Sequence, residues 1–98
     1  MAQVREKALE KSVDYQEYLR LIDSFVREGR TSGATQSADL AHYTKLNAKR
    51  VKRLNKTAST ASETVELISS LPFSMEWVVI TEVWCGDAAQ NIPYINKL

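Results

Sequence analysis

One segment of this chain reads as a β-strand, and a strand cannot complete a sheet alone. Residues 77–84, Trp-Val-Val-Ile-Thr-Glu-Val-Trp, are dense in β-branched and aromatic side chains, the types that suit a pleated surface. The apolar run is unbroken from Trp77 to Ile80, as in a strand covered on both faces. Everything ahead of it carries helical spacing or loop chemistry, so no second strand is on offer. An unpaired strand exposes a row of N–H and C=O groups. The chain is therefore expected to be a fragment of a longer protein, or to pair or swap this strand in a homo-oligomer. An end at Leu98 would fall within a helix that has only just begun.

The remaining segments predict three N-terminal helices. Tyr15, Tyr18, Leu19, Ile22, Phe25 and Val26 recur at helical spacing between about Val13 and Glu28, which marks them as core. Gly29 follows where a left-handed residue ends a helix. Arg30 to Gln36 is loop chemistry, and Ser37 is the expected N-cap of a second helix, with Asp39 in its first turn. That helix reaches Leu54 or Lys56 on an apolar line of Leu40, Tyr43, Val51 and Leu54, with polar Asn47 in the row. Thr57 to Ser62 breaks the pattern. Thr60 and Glu63 have capping-box spacing for a third helix ending near Leu71, closed by Pro72. Trp77 is expected in the core. After the turn Cys85-Gly86-Asp87, a fourth helix starts from Ala88 onward. The expected class is thus mostly α with one β-strand.

Composition narrows the functional classes. The 98 residues are 44% hydrophobic and 26% charged, with a net charge of +1, which fits one small unit with no global pull toward nucleic acid or anionic lipid. Lys45, Lys49, Arg50, Lys52, Arg53 and Lys56 crowd a stretch without acids. No Gly-rich loop or interleaved aromatic platform accompanies them, so a solvated helical face is expected rather than a nucleic-acid site. No run approaches the roughly 18 apolar residues of a membrane span, and no secretory signal opens the chain. The lone cysteine suits a reducing, cytoplasmic setting. His42 is the single histidine, and with Cys85 it supplies too few ligands for a metal. No cofactor is implied.

Chemistry concentrates at Trp84-Cys85-Gly86-Asp87-Ala88-Ala89, with Pro93 eight positions beyond the cysteine. A thiol at a strand-to-helix junction lies over unpaired N–H groups and the positive end of the helix dipole, a setting that favours thiolate. Thiolate is the nucleophile of disulfide exchange. Gly86 allows a sharp turn, and Trp84 can shield one side of the sulfur. Asp87 is a candidate catalytic or tuning group, although an acid in a first helical turn also interacts favourably with the dipole, and a carboxylate beside a thiol opposes thiolate.

This pattern of an apolar strand, Trp-Cys-Gly-x-x and a helix-kinking proline resembles the thioredoxin active site, with Trp84, Cys85, Gly86 and Pro93 at matching positions. The wording Trp84 to Gln90 resembles a bacterial thioredoxin-like subgroup with a helical N-terminal extension, which Tyr43-Thr-Lys-Leu-Asn47 also resembles. The resemblance implies residues 1–72 as the extension and 73–98 as the strand, active-site turn and first helix of an incomplete α/β thioredoxin-like domain, short of the segment whose cis-proline faces the cysteine. Two departures stand out: Ala88 occupies the place of the resolving cysteine, and Val79 that of a buried acid six residues before the first. The resemblance therefore implies a monothiol site at Cys85 for exchange or redox sensing, not dithiol reduction. Its partners would be a protein disulfide or a small thiol such as glutathione. A non-enzymatic protein-binding module on the same scaffold, with Cys85 a relic, is the alternative reading; a basic helical nucleic-acid binder is a third.

Overall fold

Local caps and apolar faces explain the helices. In the computed structural model, which describes residues 2–98 with side chains from Glu6 onward, the helices are α1 Ala2–Lys11, α2 Tyr15–Glu28, α3 Ala38–Thr57, α4 Ser62–Ser69 and α5 Gly86–Asn96. The Asp14 carboxylate accepts the Glu17 N–H at the start of α2, and Gly29 ends that helix at φ 66°, a left-handed conformation that costs glycine little. At the start of α3 the Ser37 hydroxyl accepts the Leu40 N–H.

α3 is the centre of the packing and contacts both α2 and α5. Ile22, Val51, Val83 and Ala89 form the buried cluster, and Tyr18, Leu19, Phe25, Val26 and Ala48 pack around it. The α2 face is thus the expected one. The α3 face is not. Tyr43 is exposed, whereas Thr44, Asn47, Val51 and Leu54 are buried. The Thr44 hydroxyl donates to the Leu40 carbonyl at 2.8 Å and accepts from the Thr31 hydroxyl at 2.6 Å.

The expected β-strand does not form. Among the described residues there is no strand: 74–82 is irregular and Val83–Trp84 is a turn. This chain is all-helical, not helices plus one strand. The physical reason is the missing ladder, because a strand is defined by hydrogen bonds to a neighbour and no described segment pairs with this one. The expectation for Trp77 fails with it, since the indole is 59% exposed.

Smaller differences have local causes. α1 adds a helix to the expected set; its segment has few apolar residues to betray it, and none of its described side chains is buried. α4 begins at Ser62 with Ala61 as a cap that provides no side-chain bond, and it ends at Ser69, so the Thr60–Glu63 capping box is not made. α5 begins at Gly86, two residues before Ala88, and runs to Asn96 with Pro93 inside it.

Candidate functional site

The turn that presents Cys85 is tied down by side chains from two other elements. The Cys85 N–H donates to the Glu82 carbonyl at 3.0 Å, closing residues 82–85 into a tight turn. Val83 sits in that turn, buried in the core cluster. Its N–H donates to the Ser32 hydroxyl at 3.0 Å, and its carbonyl accepts from the Asn47 amide at 3.1 Å. Ser32 donates its own proton to the Glu82 carboxylate. The 30–37 loop that carries Ser32 is braced in turn: Gln36 accepts the Thr31 N–H at 3.1 Å and donates to the Thr31 carbonyl at 2.7 Å. Buried backbone groups need partners, and here side chains do what a β-ladder would otherwise do.

Cys85 is the N-cap of α5, half-buried, and it makes no side-chain capping bond. The Ala89 N–H donates to its carbonyl at 3.2 Å. Its thiol therefore lies at the end of the helix where first-turn N–H groups lack intrahelical partners. Gly86 is the first residue of α5, Asp87 stands exposed in the first turn, and Ala88 is partly buried. Trp84 lies open to solvent at 39% exposure, and Pro93 is fully buried two turns along α5. The Asn91 side chain donates to the Asp87 carbonyl at 2.7 Å, leaving the Asp87 carboxylate outside that bond.

Two further side chains flank the turn. Tyr18 of α2 is close to Thr81, Glu82 and Cys85. Burial pushes its phenol above the ordinary value of about 10, a hydrogen bond with Thr81 works the other way, and the acidic neighbours Tyr15, Cys85 and Glu82 raise it further. On the α3 side, Arg50 donates to the Asn47 side-chain oxygen at 3.1 Å. A Cβ placed on Gly86 would come within 3.3 Å of the same guanidinium nitrogen, so the cation rests against the start of α5.

The sequence motif and the observed site overlap in Trp84, Cys85, Gly86 and Asp87, which are contiguous. Ser32, Asn47, Arg50 and Tyr18 come from elsewhere. Asn47 had a signal, a polar residue within the apolar row of α3. Arg50 belongs to the basic run expected as a solvated face, and Ser32 to an ordinary loop. A shallow groove of about 320 Å³ between α2 and α3, lined by Leu19, Val26, Ala48 and Lys49 among others, includes none of the Cys85 turn. Among the described residues, no three His, Cys, Asp or Glu side chains gather as a metal site, and no helix is long and apolar enough to cross a membrane.

A family model described as thioredoxin matches residues 33–98, from the loop before α3 through the Cys85 turn and α5. Neither the curated proteins nor the solved structures include a match to the chain.

Proposed function

We infer that this chain, which belongs to the thioredoxin family, uses Cys85 as a single-cysteine nucleophile for thiol–disulfide exchange or thiol redox sensing in a reducing compartment such as the cytoplasm. One observation carries the reading: the thiol belongs to the N-cap residue of α5, makes no side-chain capping bond and sits on a braced turn. A helix N-terminus with unpaired N–H groups attracts anions, and an anionic sulfur is the nucleophile of disulfide exchange.

The Cys85 thiolate attacks one sulfur of a disulfide, forming a mixed disulfide while the old S–S bond breaks. The displaced sulfur leaves as a thiolate and takes a proton from water. Ala88 stands three residues on, so no thiol within the motif attacks the mixed disulfide. Release needs a small external thiol such as glutathione, whose thiolate attacks the partner's sulfur and frees Cys85. In this reading Gly86, whose missing Cβ leaves room for Arg50, and Trp84 would shape the site, and Asp87 would tune it.

Treating the folded protein with a small aromatic disulfide tests this directly. Intact mass should show one adduct at Cys85, removed by glutathione and absent from Cys85→Ala. A thiol that reacts only in denaturant would overturn the reading and favour a protein-binding scaffold.

A further inference from the structure

On the reading of Cys85 as the nucleophile, we propose that Asn47 is a positioning residue that holds both the Cys85 turn and the Arg50 cation in place through the two ends of one buried amide. Asn47 is 2% exposed. Its nitrogen donates to the Val83 carbonyl, two residues before the cysteine, and its oxygen accepts from Arg50. A primary amide carries its donor and its acceptor on two separate atoms, so one side chain can hold both partners at once. Leucine or valine would have suited the apolar row but could do neither.

Arg50 is where the amide acquires an electrostatic consequence. A guanidinium stays charged at every relevant pH. Arg50 takes part in neither ion pair found among the described residues, Arg20–Glu17 and Arg30–Glu28. Its positive charge therefore reaches the start of α5 unpaired, held there by Asn47 and packed against Gly86. The other groups around Cys85 act in the opposite sense or are neutral. Tyr18 faces it from α2 as an uncharged phenol near neutral pH, and Glu82 lies in the preceding turn, bound to Ser32. Asp87 stands in the first turn of α5. Arg50 is the cation that the observed contacts bring to this end of α5, and Asn47 is its anchor.

The decisive measurement is the rate of Cys85 alkylation by iodoacetamide from about pH 5 to 10, on folded protein verified by circular dichroism. Arg50→Gln should slow the reaction at pH 7 on the order of 3- to 10-fold and displace its pH profile upward, as loss of a neighbouring opposite charge does. Arg50→Lys should restore most of the rate. Asn47→Ala should slow it in the same direction, because both the turn and the cation lose their anchor. Equal or faster alkylation in folded Asn47→Ala, or an unchanged profile in Arg50→Gln, overturns the positioning role. If Asn47→Ala does not fold, the half-buried Arg50 variants decide alone, and failure of lysine to rescue counts against the role. A wild-type thiol inert in the folded state would instead defeat the nucleophile reading itself.

Discussion

Ile80 and Val83 stand three residues apart in the strand-like segment 77–84, yet Ile80 is 83% exposed and Val83 only 6%. The same contrast extends on either side. From Val83 onward the chain enters the core through Ala89 and Pro93, whereas Phe73, Met75, Trp77, Val78 and Val79 all lie open and α4 buries no side chain. Hydrophobicity does not separate the two regions. What separates them is whether the backbone has a partner. Val83 can be buried because Ser32 and Asn47 bind its N–H and C=O; burying 77–80 would strand backbone groups that have no partner among the described residues, at roughly 1–3 kcal/mol each.

The contrast can be broken most directly by truncating matched side chains. Ile22→Ala should cost about 2–4 kcal/mol in urea unfolding, the usual range for a buried aliphatic, while Ile80→Ala should stay within about 0.5 kcal/mol. Equal costs would mean that 77–80 is packed in solution. Ser32→Ala sharpens the account of Val83. Loss of the hydroxyl should destabilise by about 1–2 kcal/mol and speed hydrogen exchange at the Val83 amide, with little change at residues 77–80. The smallest effect is one of pH. The Tyr18 phenol is raised above its ordinary value chiefly by burial, so its neutral form supports the fold fully below about pH 10 and that support is lost as pH rises through the folded value. Wild type should therefore lose stability more steeply than Tyr18→Phe as pH rises above about 10, and parallel curves would remove Tyr18 from the buried side of the comparison.

Much of the helical part was legible because its signals are local. Ser37 and Gly29 declare helix ends within a few residues, and the α2 stripe needs only its own period. The Cys85 motif was legible for the same reason, as a contiguous stretch, although its turn falls at 82–85 rather than at 85–87. Sheet formation is not a local property. The Trp77–Ile80 run has strand chemistry, but a strand exists only once another chain segment pairs with it. Asn47 was visible as an irregularity on α3, yet its meaning depends on a carbonyl 36 positions away. Ser32 is farther still from its partner, at a separation of 51. Tyr43 and Thr44 show a finer limit: rotation by one residue decides which is buried, and the hydroxyl of Thr31 across the contact favours threonine.

The bracing of Val83 also sets a boundary for β-pairing. Its amide proton is already directed to Ser32 and its carbonyl engaged by Asn47. Another strand laid along 77–82 could extend its ladder up to Glu82, but to recruit Val83's N–H it would first have to displace Ser32. The side chains that hold the cysteine turn thus act as a register stop, fixing where an added sheet edge ends relative to the thiol.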